Sequence, residues 1–348
     1  MSSPAEPLLS VRDLHTSFPI HSALLRRKVG EVHAVSGVSF DLPAGRTLGL
    51  VGESGSGKTT LARTVIGLER PRSGQVLFDG RDLVTLSGRR RGAKAAELRR
   101  IRRQIQMIFQ DPYASLNPRL TVRQIISEAW MINPGVVPRH RWTAEVNDLL
   151  ARVGLNPDHA DRYPHQFSGG QRQRIGIARA LALRPRLVIC DEAVSALDVS
   201  VQAQVLNLLV DLQADLGLSY LFIAHDLSVV RHISNQVAVM YLGKLVETGT
   251  TDQIFTAPVH PYTQALLSAV PVTRPWAAPP REQIILTGDI PSPVSPPSGC
   301  RFRTRCWKAQ PRCASEEPVL AHRLGDHPSA CHFPDLPAQP QPAAVGAR

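Results

Sequence analysis

Apolar and polar residues alternate along most of the chain with two different periods. Short apolar segments bounded by turn residues predict β-strands, and apolar residues spaced three and four apart predict helices. The predicted strands are 8–14, 32–42, 47–51, 75–79, 105–109, 187–190 and 220–224. The predicted helices include 58–68, 170–183 and 201–217. We expect the strands at 8–14, 32–42 and 75–79 to form a small antiparallel sheet, and the others, which alternate with helices, to form the mainly parallel sheet of an α/β fold.

The segment 121–165 contains no strand pattern and is interrupted by prolines. A proline fixes φ and removes a backbone donor, so it ends one helix or begins the next. We therefore expect a helical subdomain at about 111–168, inserted between two strands of the main sheet.

Proline and cysteine mark a change of composition near residue 258. Seventeen of the 29 prolines and four of the five cysteines lie beyond residue 257. This proline content excludes a continuous sheet or a helix bundle in that part of the chain. We expect a first domain at 1–258, a different module at 259–335 and a disordered tail at 336–348.

The composition is that of a folded globular protein, with 43% hydrophobic and 20% charged residues among 348. No apolar run reaches the roughly 18–20 residues that cross a bilayer, and the first residues lack the pattern of a secretory signal. The net charge is +11, of which +7 lies in the strip 89–103. We interpret this strip as a solvated helical face; contact with anionic lipid headgroups is the second interpretation and nucleic acid the third.

A glycine-rich loop follows the predicted strand 47–51. Its sequence, GESGSGKT at 52–59, fits the pattern G-x-x-x-x-G-K-[ST] and leads into a predicted helix. In such loops backbone N–H groups surround phosphate oxygens, the lysine reaches the β- and γ-phosphates, and the hydroxyl binds Mg²⁺. The sequence therefore predicts a bound nucleoside triphosphate. The predicted ligands of the nucleotide are Gly52, Ser54, Gly55, Ser56, Gly57, Lys58, Thr59 and Thr60.

Two carboxylates end the predicted strand 187–190. Ligands of parallel sheets lie at the carboxyl ends of strands, where Lys58 is also expected. Asp191 is suited to hold Mg²⁺, and Glu192 to polarise an attacking water. The alternative for such a pair is a helix N-cap. Cys190 has apolar neighbours in the sequence and is expected in the core.

A second anion site is predicted at Ser168-Gly169-Gly170-Gln171, where a serine and two glycines begin a helix. With this motif between the phosphate loop and the acidic pair, the chain resembles the ABC ATPases. The resemblance implies that these signature residues cap the ATP of a partner in a head-to-tail dimer. Phe167 stands where the family usually has leucine.

Further positions are similar to those of ABC ATPases. Gln110 resembles the Q-loop glutamine, a ligand of Mg²⁺ and water, and Asp198 resembles the D-loop aspartate. His225 resembles the switch histidine that contacts the γ-phosphate. Phe18 is similar in position to the aromatic residue that stacks on adenine, and Val35 accompanies it.

The oligopeptide/dipeptide importer ATPases, and their F-type subunit in particular, are the branch that the chain resembles. The segments that carry this likeness are 109–118, 162–167, 194–204 and 260–263, and it extends over residues 8–333. It implies a second, related D-type ATPase as partner, two membrane permeases, and indirectly a substrate-binding protein. The location implied is the cytoplasmic face of the plasma (inner) membrane. ATP would close the dimer, and hydrolysis would reopen it.

Two alternatives remain at this point. The same machinery serves importers of nickel or glutathione, so peptide is not the only substrate that fits. A nucleic-acid or translation-associated ABC ATPase is the other, suggested by the charge. Such chains usually carry two cassettes or a long coiled coil, and this chain has one cassette with a short insertion, so no nucleic-acid partner is expected.

Four cysteines, Cys300, Cys306, Cys313 and Cys331, lie within 32 residues of one another. Disulfides are rare in cytosolic proteins, and four thiolates suit zinc or an iron–sulfur cluster. The resemblance to peptide-importer ATPases implies a [4Fe–4S] cluster; zinc and a metal-free module are the alternatives.

Overall fold

The computed structural model describes residues 6–22, 27–87, 92–270, 283–322 and 327–335. The predicted tail at 336–348 and residues 89–91 of the basic strip lie outside the described residues. The strands are β1 (Leu9–His21), β2 (Lys28–Leu42), β3 (Thr47–Val51), β4 (Ser73–Phe78), β5 (Arg81–Asp82), β6 (Ile105–Ile108), β7 (Leu187–Asp191), β8 (Ser219–Ile223), β9 (Gln236–Tyr241) and β10 (Lys244–Thr250). The helices are α1 (Lys58–Val65), α2 (Leu83–Ser87), α3 (Ala93–Gln104), α4 (Pro112–Ser115), α5 (Val122–Ile132), α6 (Trp142–Arg152), α7 (Gly169–Leu181), α8 (Val199–Leu216), α9 (Leu227–Ile233), α10 (Thr251–Thr256), α11 (Pro261–Ser268) and α12 (Arg312–Ser315).

The strands form two sheets. The smaller has the order β2-β1-β4-β5 and is antiparallel; the larger has the order β10-β9-β3-β8-β7-β6 and is parallel except for the β9–β10 hairpin. Both sheets agree with the sequence prediction, but the hairpin was not predicted. Its turn places Leu242 and Gly243 at φ values of 45° and 83°. Leucine is an uncommon residue for such a turn, which usually takes Asn or Gly, so the sequence carries no clear signal for it.

The larger sheet is buried on both faces, as parallel sheets are. Along β7, Val188 and Cys190 belong to one apolar cluster, and Leu187 and Ile189 to the other. Cys190 is fully buried, in agreement with the sequence prediction. The first cluster lies under the helical insertion, and the second lies between the sheet, α1 and the antiparallel sheet.

Helices and short 3₁₀ turns make up the chain between β6 and β7. Within this continuously described stretch no strand occurs. A capping box of Thr121 and Gln124 begins α5, and the Trp130 indole donates a 2.8 Å hydrogen bond to the carbonyl of Ala182 beyond α7. Proline begins two of the 3₁₀ turns, at Pro157 and Pro164. The insertion is therefore fastened to the helix that leads into β7.

The C-terminal segments pack directly onto β9 and β10. Ala330 N–H donates to the Val246 carbonyl at 2.7 Å. The fully buried Glu247 accepts hydrogen bonds from the N–H groups of Val259 and His260 and contacts His327 at 2.7 Å. Beyond residue 282, α12 is the one helix among the described residues. No described helix is long and apolar enough to cross a membrane.

Candidate nucleotide-hydrolysis site

The loop between β3 and α1 depends on glycine at two close backbone contacts. A Cβ at Gly52 would lie 2.1 Å from the Met240 carbonyl oxygen, and one at Gly57 would lie 2.1 Å from the Ala34 carbonyl oxygen. Both residues also have positive φ, at 153° and 104°. No residue with a side chain fits either position, so these two glycines fix the path of the loop.

Lys58, the first residue of α1, is buried inside this loop. Its Nζ donates to the carbonyl oxygens of Gly52 and Glu53 at 2.7 and 2.9 Å. Burial lowers the pKa of Lys58, and the nearby carboxylates of Glu192 and Asp191 oppose that effect. The ammonium group therefore stands in the concave side of the loop, where a phosphate oxygen would be met by N–H donors.

Thr59 and the end of β7 bring oxygen atoms together. Thr59 Oγ1 donates to Asp191 Oδ1 at 3.0 Å. Asp191 is 3% exposed, and its burial raises the pKa of the carboxyl group. A hydroxyl and a carboxylate are hard oxygen donors, and Mg²⁺ sites that serve nucleotides use few protein ligands. The residues therefore fit Mg²⁺, and Asp191 is not a helix cap.

Glu192 is turned away from Asp191. Its φ of 48° is left-handed, and its N–H donates to the Ile223 carbonyl at 2.9 Å, which holds the turn at the strand end. Gln110 Nε2 donates to Glu192 Oε2 at 2.7 Å, and His225 Nδ1 lies 3.6 Å from the same oxygen. A left-handed backbone at a non-glycine residue costs about 1–2 kcal/mol, so the rest of the fold imposes this orientation.

Five predicted residues thus meet at the carboxyl edge of the parallel sheet, where ligands of such sheets bind. They follow or end three strands, β3, β6 and β7, and His225 follows a fourth strand, β8. They are Lys58, Thr59, Gln110, Asp191 and Glu192, with His225 beside them.

The signature residues lie elsewhere and have local contacts. Ser168 caps α7, accepting from Gln171 N–H at 3.3 Å, while Gln171 Oε1 accepts from Ser168 N–H. A Cβ at Gly170 would lie 2.3 Å from Val201 Cγ1, so α7 and α8 pack closely there. Among the hydrogen bonds and ion pairs of the described residues, none joins these residues to the phosphate loop.

Asp198 also caps a helix. Its Oδ1 accepts from the N–H of Val201 at 2.9 Å and from the Ser200 hydroxyl at 2.7 Å. These hydrogen bonds, that of Val201 first, lower the pKa of Asp198. The side chain therefore has a structural role in starting α8, whatever else it contacts.

The two residues proposed to hold adenine differ in exposure. Phe18 is half-buried on the β1–β2 hairpin, where it pairs with Val32. Val35 is 2% exposed and belongs to an apolar cluster of the core. Phe18 has surface to offer a ligand, whereas the Val35 side chain has almost none.

The four C-terminal cysteines line one small cavity, together with His260. Burial raises the pKa of Cys300 and Cys306, and raises that of Cys331 to about 11. Backbone N–H groups oppose this increase by donating to three of the sulfurs. The N–H of Phe302 donates to Cys300, that of Lys308 to Cys306 and that of Phe333 to Cys331. Among the described residues, no group of three or more His, Cys, Asp or Glu is arranged to hold a metal ion.

The sequence did not reveal two contacts of the phosphate loop. Glu53 forms a bidentate ion pair with Arg305, and its N–H donates to the Tyr262 hydroxyl at 2.9 Å. The sequence contained one signal for the ion pair, because a carboxylate inside an anion-binding loop favours a compensating cation nearby. The partner, 252 residues away, cannot be identified from spacing.

Comparison with known proteins identifies the family. The family described as ABC transporter matches residues 35–195, and that described as oligopeptide/dipeptide transporter, C-terminal region, matches 246–313. Oligopeptide transport ATP-binding protein AppF of Bacillus subtilis is 55% identical, over 94% of this chain and 98% of its own. Dipeptide transport ATP-binding protein DppF of Haemophilus influenzae is 48% identical, over 94% and 97%.

Solved structures show the same fold. CbiO1 of Clostridium perfringens, part of the ABC transporter complex CbiONQ, has a TM-score of 0.59 at 26% identity, covering 72% of this chain and 91% of its own. The ATP-binding cassette MJ0796, bound to ADP and Pi, has a TM-score of 0.60 at 24% identity, covering 70% and 98%. The α/β fold expected from the sequence is thus confirmed as that of ABC cassettes. The chain belongs to the ABC transporter ATP-binding proteins of the oligopeptide/dipeptide type.

Proposed function

We propose that this chain hydrolyses ATP at the edge of its parallel sheet and that hydrolysis powers peptide import. The observation that carries the proposal is the convergence of Thr59, Asp191, Gln110 and Glu192 beside the phosphate loop. When bound, Mg²⁺ would neutralise phosphate charge, and Thr59, Asp191 and Gln110 would hold it.

Each catalytic side chain has a defined task. Lys58 and the loop N–H groups bind the β- and γ-phosphates. Glu192 accepts a proton from the attacking water, because its carboxylate stands at the sheet edge beside Gln110 and His225 and, unlike that of Asp191, is not bonded to Thr59. Gln110 and His225 hold that carboxylate through the contacts at 2.7 and 3.6 Å. His225 also contacts the γ-phosphate, and Phe18 stacks on adenine.

The active unit is a dimer. Ser168–Gln171 have no bonded contact with the phosphate loop of their own chain among the described residues, so the ATP they cap belongs to a partner. A Ser-Gly-Gly turn at a helix N-terminus is suited to a γ-phosphate. The partner we propose is a related D-type ATPase, which brings its own signature to this chain's loop, with Asp198 at the interface.

A groove beside Gln110 is the proposed docking site of a permease. It lies between the sheet edge and α5 and is lined by Phe109, Ile125 and Ile132, among others. Ile132 is 72% exposed and Leu68, also on its wall, 62%. Docking there would place the chain at the cytoplasmic face of the membrane, and the permeases would connect it with a substrate-binding protein.

The substrate proposed is a peptide, because the relatives reported above are oligopeptide and dipeptide transport ATP-binding proteins. The experiment is reconstitution of the chain with its D-type partner and permeases in liposomes. Binding protein loaded with di- or oligopeptide should stimulate phosphate release several-fold. Stimulation by nickel- or glutathione-loaded binding protein, or by nucleic acid, would contradict the proposal. The variant Ile132→Asp should lose stimulation and keep ATP binding, with the exposed Val319→Asp as control.

We further propose that the four cysteines hold a [4Fe–4S] cluster. The four cysteines line one cavity, and the sulfurs of Cys300, Cys306 and Cys331 accept from backbone N–H groups, which stabilise thiolates. Anaerobically purified chain should contain about four irons, and Cys306→Ser should lose most of them. Stoichiometric zinc without iron would show the alternative, and protein free of both metals would contradict a metal site. The domain boundaries 1–258 and 259–335 remain predictions.

A further inference from the structure

Glu53 places a carboxylate inside the loop proposed to bind the triphosphate. Its backbone carbonyl oxygen accepts a hydrogen bond from Lys58 Nζ at 2.9 Å. A negative charge beside a polyphosphate repels it, more strongly where water is partly excluded. A counter-charge at Glu53 should therefore strengthen the binding of ATP by the loop.

Arg305 supplies that charge from the C-terminal module. Its Nη1 donates to Glu53 Oε2 at 2.7 Å and its Nη2 to Oε1 at 3.2 Å. The Arg305 side chain is 8% exposed and that of Glu53 25%. A bidentate guanidinium–carboxylate pair fixes orientation as well as charge, and partial burial protects it from screening by salt.

The segment that carries Arg305 is itself anchored. Phe302 packs edge-on against Tyr241, with ring centroids 5.3 Å apart, and lies at the same distance from Tyr262. Tyr262 in turn accepts the N–H of Glu53 at 2.9 Å. Arg305 is thus held by a buried aromatic cluster that touches the phosphate loop independently of the ion pair.

A second connection runs through the β9–β10 turn. Arg301 donates to the carbonyl of Leu242. The next residue, Gly243, donates its N–H to the Ser56 carbonyl at 2.8 Å and accepts from Ser36 N–H at the same distance. Residues 300–306, which we call the cysteine loop, therefore contact the phosphate loop at Glu53 and reach it at Ser56 through this turn.

We propose that Arg305 is a positioning residue of the ATP site: it neutralises and orients Glu53 so that the phosphate loop accepts the triphosphate. This inference rests on the proposed function of that loop. Arg305 touches neither the phosphates nor the reacting water. Through Arg305, the C-terminal module takes part in nucleotide binding, a role that its cysteines alone do not suggest.

The test measures MgATP binding by calorimetry to the full chain carrying Glu192→Gln, so that the nucleotide survives. Adding Arg305→Ala should raise the Kd about tenfold, because Glu53 then stands uncompensated. The double change Arg305→Ala with Glu53→Gln should return the Kd to within about threefold of the parent, since the repelling charge is gone. Arg305→Lys, which keeps the charge and loses the bidentate geometry, should lie between. The tenfold figure corresponds to about 1.4 kcal/mol.

The matched control is Arg303→Ala. Arg303 belongs to the same loop, but within the described part of the chain its side chain donates only to Ser298 of the module, at 2.9 Å to the carbonyl oxygen and 3.3 Å to the hydroxyl. Its Kd should equal that of the parent. A parent-like Kd for Arg305→Ala, or a double variant as weak as the single one, would overturn the inference. If circular dichroism shows that Arg305→Ala does not fold, Arg305→Lys and Glu53→Gln replace it in the test. Glu53→Gln should bind ATP at least as tightly as the parent. Weaker binding of ATP by Glu53→Gln would overturn the inference.

Failure of the proposed function looks different. Lys58→Ala should abolish binding if 52–59 is the phosphate loop. If Lys58→Ala binds ATP like the parent, the site is elsewhere and both statements fall. If it does not bind while Arg305→Ala binds normally, the site stands and only the part assigned to Arg305 falls.

Discussion

The catalytic edge of the sheet and the cysteine loop are held in place in different ways. At the edge, Thr59, Gln110 and Asp191 end or follow β3, β6 and β7, whose ladder hydrogen bonds fix the backbone. The cysteine loop has no helix or strand, and side chains such as Phe302 and Arg305 fix it against the sheet. A change at the edge should therefore alter chemistry and leave the fold intact, whereas a change in the cysteine loop should alter stability and affect chemistry through a few contacts.

The largest expected effect is at the edge. Glu192→Gln should lower the rate of phosphate release by about 10²–10⁴-fold, the range of a lost general base, because the amide cannot accept the water's proton. ATP binding should persist, and the urea midpoint of unfolding should stay near that of the wild type. Asp211→Asn, on the exposed side of α8, is the control with normal activity. Full turnover in Glu192→Gln would mean that another group is the base.

The cysteine loop provides the converse. Phe302 is 1% exposed and packs against Tyr241 and Tyr262. Phe302→Ala should lower the free energy of unfolding by about 3–5 kcal/mol, through lost burial and the cavity left behind. Trp307→Ala, 49% exposed in the same module, should cost under about 0.5 kcal/mol. Urea unfolding followed by circular dichroism measures both; equal losses would mean that the aromatic cluster is not what anchors the loop.

The same contrast explains what could be predicted from sequence. The strand 47–51 was predicted to the residue, because an apolar run between turn residues and a glycine loop is a local signal. The rule that strand ends share one edge of a sheet predicted Asp191 near Lys58, and the hydrogen bond of Asp191 with Thr59 agrees with that prediction. Gln110 was indicated only by the resemblance to ABC ATPases, and its hydrogen bond to Glu192 was not predicted. The ion pair of Glu53 and Arg305 could not follow, since it joins residues 252 positions apart through an irregular segment. Val35 stays a prediction as a nucleotide contact; its position in the sequence suggested that contact, and its side chain is 2% exposed.

The smallest effect concerns Lys244, which lies where the two regions meet. It follows Gly243 of the β9–β10 turn, forms an ion pair with Glu317 and has a side chain 26% exposed. Burial first, and then the charge of Arg301, lower its pKa from 10.5 to about 8. A lysine with a lower pKa in the folded chain binds its proton more weakly there than in the unfolded chain. Below pH 8 the partly buried charge of Lys244 therefore lowers the free energy of unfolding. This destabilisation disappears as the pH rises toward 10.5.

Lys244→Met should accordingly be more stable than wild type at pH 7, by about 1 kcal/mol after allowance for the pair with Glu317, and the advantage should vanish near pH 10.5. Urea midpoints at several pH values measure the difference. Lys94→Met, which removes an exposed lysine from α3, is the control and should leave the urea midpoint at pH 7 near that of the wild type. If Lys244→Met is instead less stable at pH 7, the ion pair with Glu317 outweighs burial, and the C-terminal module is joined to the phosphate-loop side of the sheet by charge at this turn as well as at Glu53.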